Sequence, residues 1–328
     1  MTATIALRRI DLLGWLGLLG GGLLLTAPIV LPKFVDPFWV DVLAEILIWG
    51  LLAASVNLLL GFTGLLSFGQ ALYFGVGAYG LALGIERFGL SFWPAFAAGV
   101  VLATAAAALT GIFAVRLTWH YFAIITVVFS LILYFFAVGW KDVTGGDDGL
   151  PFEPPPVISA GPFQLSLLDH FFQYYFVLVV VGLCYLLLRV VLASPLGYAI
   201  IAVRENASRA SLIGLSTYRI RYVSFVLAGF IAGVGGVLFA LYSRYATAQY
   251  LFWTVSGESV VWTIVGGTGT LAGPILGTGL LILLREKLSV YWEHYLLVVG
   301  ALVIVMVAVA PQGVMGLLRK WLRREGAA

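Results

Sequence analysis

From Phe92 to Gly139 the chain carries a single Lys, Arg, Asp or Glu, Arg116. A helical crossing of a bilayer takes roughly 20 apolar residues, so this stretch holds two crossings, about 92–115 and 119–139, that turn at Arg116. Pro94 lies near the start of the first, where a helix tolerates proline. Inside lipid every backbone N–H and C=O needs a partner within the protein, which leaves helices as the economical solution for such runs. The signal recurs at about 10–31, 40–60, 65–85, 171–192, 222–243 and 290–310. The first of these follows Arg8 and Arg9, as a signal peptide does, but it is too long for a cleaved apolar region and reads as a retained span. Only 10% of the residues are charged, against about 25% in a soluble domain. The fold class is an all-α polytopic membrane protein, with residues 1–328 forming one transmembrane domain.

Residues 247–285 are harder to read. Ser256-Gly257-Glu258, the run Gly266 to Thr270, and Pro274 interrupt them, so they form either two short spans or a broken helix that dips in and returns. Both chain ends are basic, and basic segments stay on the cytoplasmic side. The number of crossings is therefore even: about ten transmembrane helices, or eight plus a re-entrant pair.

Two polar segments set the orientation. Residues 194–221 carry Arg204, Arg209, Arg219 and Arg221 against Glu205, a net charge of about +3 that places them in the cytoplasm. Pro195 and Gly197 end the preceding span, and residues 198–213 read as one short helix closed by a left-handed Gly214. The loop 140–170 holds Asp142, Asp147, Asp148, Glu153 and Asp169 against Lys141 and reads as periplasmic. On charge alone the 194–221 segment is equally an ordinary topogenic loop.

Several chemistries lack their residues. None of the four lysines follows a glycine, so the chain has no phosphate-binding loop and no ATP site of its own. There is no H-E-x-x-H and no C-x-x-C; the one cysteine, Cys184, lies in an apolar run, and His120, His170 and His294 are scattered. No enzyme, metal or cofactor is expected. The net charge of +3 sits in loops and tails, which fits contact with membrane lipid rather than nucleic acid. Polar residues within spans are expensive and often functional. Glu45 and Arg244 reach interfaces. Asn57, Ser67 and Gln70 gather around Gly61–Gly69, where glycines let backbone line a cavity, and together with Glu258 they are the candidates for a translocation path. The bland reading of each is an interhelical hydrogen bond. No arginine is paired with a carboxylate deep in a span, and nothing suggests the paired discontinuous helices of an ion-coupled transporter.

The stretch Leu58-Leu59-Leu60-Gly61-Phe62-Thr63-Gly64-Leu65-Leu66-Ser67-Phe68-Gly69-Gln70, continuing to Phe74-Gly75-Val76-Gly77-Ala78-Tyr79, resembles the permease subunits of branched-chain amino-acid ABC transporters, LivM type. So do Thr144-Gly145-Gly146-Asp147-Asp148-Gly149-Leu150, the segment from Arg204-Glu205-Asn206 to Gly214-Leu215, the run Gly266 to Pro274, and Pro311-Gln312-Gly313. These blocks stand in family order over roughly residues 40–316. The family commonly has His where this chain has Gln70, and Ala at Arg209. The resemblance implies an importer with a second homologous permease subunit, two ATP-binding subunits and a periplasmic substrate-binding protein in a bacterial inner membrane. It also implies that Arg204, Glu205, Asn206, Ser208, Arg209 and Gly214 belong to a helix that couples to the ATPase. Urea and short-amide permeases share most of these motifs, and an ion-coupled transporter or channel is the rival of another class.

Overall fold

In the computed structural model, residues 22, 24, 26, 28, 36 and 38–325 are described, except 118, 155, 156, 161, 162, 167, 168, 293 and 311. Apart from those isolated positions, the expected first span at 10–31 and its Arg8 and Arg9 lie outside the described residues. The α-helices of six or more residues that follow are α1 (Phe38–Asn57), α2 (Gln70–Glu86), α3 (Phe92–Ala114), α4 (Trp119–Gly139), α5 (His170–Ala193), α6 (Pro195–Glu205), α7 (Ala207–Leu212), α8 (Thr217–Ser243), α9 (Trp253–Gly266), α10 (Gly273–Ser289), α11 (Tyr295–Val309) and α12 (Gly313–Glu325).

Among the described residues five helices are long and apolar enough to cross a membrane: α1 with its extension to Thr63, most of α4 and α5, and the whole of α3 and α8. They divide into two kinds. In the most apolar windows of α1 and α8, 83% and 78% of residues are buried, against 22% in α3, α4 and α5. The outer three expose Val101, Leu109, Phe113, Ile124, Phe135, Val179 and Val190, side chains that suit lipid and not water. The inner two form the axis of the core. Trp49 of α1 joins them, with its ring 5.0 Å from Phe74 of α2, 4.6 Å from Phe239 of α8 and 5.6 Å from Trp262 of α9.

Small residues bring the core helices together, because lipid supplies no hydrophobic drive for helix association and close packing has to replace it. A methyl group on Gly236 of α8 would strike the Phe74 carbonyl of α2, and one on Gly229 would strike Ala107 of α3. Among the described residues, many glycines therefore stand where backbones touch as well as where the chain turns.

The bundle has two ends. At the acidic end, β1 (Leu150–Pro151) pairs antiparallel with β4 (Tyr245–Ala246), and β2 (Val157–Ala160) forms a hairpin with β3 (Phe163–Ser166). There Arg87 Nη2 donates to the Asp142 carbonyl at 2.6 Å. Gly145, Gly146 and Gly149 all have positive φ, 78°, 64° and 69°, so the Gly-Gly-Asp-Asp-Gly run folds into a tight knot that side-chain-bearing residues resist. The basic end holds α6, α7, residues 58–64 and the loop 267–272.

The region 247–285 forms two short helices, α9 and α10, joined by the loop 267–272. Its position explains why neither is long. Ser130, midway along α4, donates its hydroxyl to the Leu251 carbonyl, so the chain has already descended from the acidic end to the middle of the bundle before α9 starts. From there α9 runs to the basic end, and α10 turns back after the loop 267–272. That loop is tied to α1 by one side chain: Asn57 Nδ2 donates to the Thr270 carbonyl at 2.8 Å, and Asn57 Oδ1 accepts from Gly269 N–H at 2.9 Å.

Two outcomes follow. Gly236→Val lowers the melting temperature in detergent by several degrees, since overpacking costs about 1–3 kcal/mol, whereas Gly139→Ala, with open space around it, leaves it unchanged. Asn57→Ala leaves two buried backbone groups unpaired and destabilises the protein by about 2–4 kcal/mol, read as a shift in the denaturant midpoint.

Candidate translocation path and coupling segment

Helix α1 does not end at Asn57. It widens into a π-helical turn, Leu58–Thr63, and stops at Gly64 with φ 77°. Residues 64–69 then run without regular structure until α2 begins at Gln70. Backbone of this kind is tolerated at membrane depth only if the protein satisfies it, and here hydroxyls do so. Phe68 N–H donates to Thr126 Oγ1 at 3.2 Å, Gly69 N–H to Ser67 Oγ at 3.2 Å, and Ala71 N–H to Ser256 Oγ at 2.7 Å.

Ser256 lies in the first turn of α9, so the N-termini of α2 and α9 meet inside the bundle, at the level of Thr126 and Ser130 on α4. A helix N-terminus carries a partial positive charge of about half an elementary unit, and two of them face one point. The sequence reads 65–85 as one span and 247–285 as interrupted; in the structure α2 starts only at Gln70 and α9 at Trp253, both inside the bundle.

Of the expected path residues, Asn57, Ser67 and Gln70 are buried; Ser67 and Gln70 lie at the start of α2, whereas Asn57 is bonded to the 267–272 loop at the basic end. Gln70 is fully enclosed. Its Oε1 lies 3.4 Å from Ser55 Oγ, whose single proton has a closer acceptor in the Leu52 carbonyl at 2.6 Å. Among the described residues its Nε2 has no partner. An amide offers two N–H donors, so one hydroxyl leaves at least one of them unsatisfied however the amide is set. Glu258 does not join this group. It is exposed on α9, while Ser256 and Ser259 of the same helix turn inward.

A charged cluster is invisible along the sequence. Arg285 of α10 pairs with Glu45 of α1 at 3.0 Å and with Glu286 at 3.2 Å, and Trp49 Nε1 donates to Glu45 at 3.2 Å. This arginine and carboxylate pair lies toward the acidic end, with the Arg285 side chain 37% exposed, and not deep in a span. Only the packing of α1 on α10 reveals it, because 240 residues separate the partners.

At the basic end the expected single helix 198–213 is two. Asn206 adopts an extended conformation, φ −161° and ψ 100°, between α6 and α7, and its Oδ1 caps α7 by accepting from Arg209 N–H at 2.9 Å. A side chain that bonds its own backbone competes with a continuous helix. Gly214 has φ 87°, the left-handed conformation expected of it. Ile200, Val203 and Ala210 pack inward with Ile220 and Phe62. Facing outward are Glu205, Ser208 and Arg209, with Leu212 86% and Ile213 76% exposed. Two large apolar side chains thus stand exposed beside charges at the tip of the bundle. Arg204 divides its allegiance: its Nη1 donates inward to the Gly61 carbonyl while the rest of the residue stays exposed.

A family model described as "Branched-chain amino acid transport system / permease component" matches residues 38–307. The chain is 28% identical over 325 residues to the high-affinity branched-chain amino acid transport system permease protein LivM of Escherichia coli K12, covering 93% of this chain and 76% of that one. The LivM protein of Salmonella typhimurium is likewise 28% identical, over 92% and 75%. The corresponding LivH protein of Escherichia coli K12 is 30% identical over 126 residues, 38% of this chain and 40% of its own. No solved structure matches. The match to residues 38–307 spans the π turn, the paired N-termini, the two-helix segment and the short α9–α10 pair, and the chain belongs to the branched-chain amino acid ABC transporter permease family, LivM type.

Proposed function

We propose that this protein is one of the two permease subunits of an ATP-driven importer for branched-chain or other apolar amino acids in a bacterial inner membrane. The observation that carries the reading is the likeness to LivM over 93% of the chain. The LivH likeness supports a second, homologous permease as partner. In this reading two ATP-binding subunits supply the energy, since the sequence has no phosphate-binding loop of its own, and a periplasmic binding protein delivers the solute.

The path runs past Asn57, Ser67 and Gln70, with Glu258 on a face of α9 that the second subunit covers. A bare carboxylate facing lipid is expensive, which is the reason to turn that face of α9 toward protein and solute. The meeting of two helix N-termini beside a Gln70 N–H without a partner suits the carboxylate of an amino acid in transit. The α6–α7 segment docks on the ATPase through Glu205, Asn206, Ser208, Arg209 and the exposed Leu212 and Ile213. Residues 194–221 then lie in the cytoplasm and 140–170 in the periplasm.

Orientation is checked by cysteine labelling after Cys184→Ser: with an impermeant thiol reagent on intact spheroplasts, Asp148→Cys labels and Ser208→Cys does not. Labelling at 208 from outside overturns the orientation. The solute is checked with vesicles holding the full complex and its own binding protein. Labelled leucine enters and labelled urea does not; urea uptake without leucine uptake reassigns the substrate to short amides, and leucine uptake that ignores ATP but follows an ion gradient defeats the ATP-driven reading. Gly214→Val, which forces a β-branched residue into a left-handed conformation, lowers solute-stimulated ATP hydrolysis severalfold and leaves membrane insertion intact.

A further inference from the structure

Arg204 has a geometry that docking on a partner does not require. It lies in the last turn of α6, and from there Nη1 donates to the carbonyl of Gly61 in the π turn that extends α1. Its stem lies over Gly64, where an added Cβ would be 3.1 Å from Arg204 Cγ. On the other side, Nη1 is 3.6 Å from where a Cβ on Gly269 would stand. Gly61 and Gly269 touch so closely that a Cβ on Gly61 would strike both the Gly269 nitrogen and Asn57 Oδ1. Asn57 in turn holds Gly269 and Thr270. One guanidinium thus sits where three pieces of chain meet: the basic-end helix α6, the π turn at the end of α1, and the loop between α9 and α10.

The choice of residue fits the place. Neither of the ion pairs seen among the described residues involves Arg204; its inward partner is a neutral carbonyl. A surface arginine needed only for charge would keep its head in water. Here the inner edge of the fork is committed to Gly61 while the residue as a whole remains exposed, and five N–H donors on a planar fork allow contact on two sides at once. The π turn it bonds leads through residues 64–69 to the start of α2, and the 267–270 loop beside it closes the far end of α9.

We propose that Arg204 is a positioning residue that pins α6 to the π turn and the 267–270 loop, so that a displacement of α6 is carried directly to the paired helix N-termini at the centre of the path. The proposal rests on the importer reading above. Without the pin, α6 and α7 still dock and the ATPase still turns over, but the motion does not reach the break in α1.

The test uses the complete complex in proteoliposomes with its binding protein. Arg204→Ala assembles and hydrolyses ATP at a basal rate within about twofold of wild type, while leucine uptake and the increment of hydrolysis on adding loaded binding protein fall at least tenfold. ATP consumed per leucine therefore rises, a change that loss of assembly does not produce. Arg204→Lys, which can reach one carbonyl but not two sides, recovers part of the uptake. A second variant replaces the pin covalently: a Cβ on Gly64 stands 3.7 Å from Arg204 Cβ, close to the spacing of a disulfide. With Cys184→Ser, the pair Gly64→Cys and Arg204→Cys is uncoupled when reduced and regains uptake severalfold when oxidised, whereas Gly64→Cys alone does not respond to oxidant. Full coupling in Arg204→Ala overturns the proposal. If Arg204→Ala fails to assemble, the double-cysteine protein decides, and oxidation that leaves or deepens its defect overturns the proposal as well. A wild-type complex without solute-stimulated ATP hydrolysis defeats instead the importer reading beneath it.

Discussion

Asn57 holds the two halves of this structure to one another. Its carboxamide gives a donor to Thr270 and an acceptor to Gly269, the two hydrogen bonds that a backbone strand would otherwise supply. Irregular chain inside a membrane survives only where such partners exist. These two bonds satisfy the loop 267–272 against α1, beside the Thr263 hydroxyl on the Ala53 carbonyl and the Arg285–Glu45 pair that hold α9 and α10 there. The bundle is thus built around a polar joint, and the glycines nearby, Gly61 and Gly269, are there because the joint leaves no room for a side chain.

Around that joint the helices sort by what they can face. α3, α4 and α5 expose long apolar side chains and form a lipid-facing wall; α1 and α8 have almost no free surface. Between wall and axis the hydroxyls of Ser55, Ser67, Thr126, Ser130 and Ser256 line the region where α2 and α9 start. Hydroxyls suit such an enclosed place: each can donate and accept, and carries no charge to bury. A ring of carboxylates there would bind more strongly and release more slowly.

The basic end shows the same economy. Asn206 splits one helix into two with a single side chain, which lets α6 press Ile200 and Val203 inward while α7 presents Arg209, Leu212 and Ile213 outward. Between them Arg204 touches the interior. The segment is a topogenic loop by charge, but its shape and its inward contacts are not needed to hold a loop on one side of a membrane.

The helical class, five of the spans and the left-handed turn at Gly214 are legible in the chain itself, because each depends on local properties: the length of an apolar run and the steric freedom of one glycine. The motif blocks carry the family for the same reason, being continuous in the chain. The remaining features exist only once the helices pack. Arg285 and Glu45 become a pair only when α10 lies on α1, and the start of α9 at mid-depth depends on Ser130 reaching Leu251 across 121 residues. The partnerless N–H of Gln70 and the inward reach of Arg204 are likewise facts about neighbours. Hydropathy and charge are sums along the chain, whereas satisfaction of a polar group is settled by whatever lies within about 3 Å of it, and in this fold that is seldom a residue nearby in sequence.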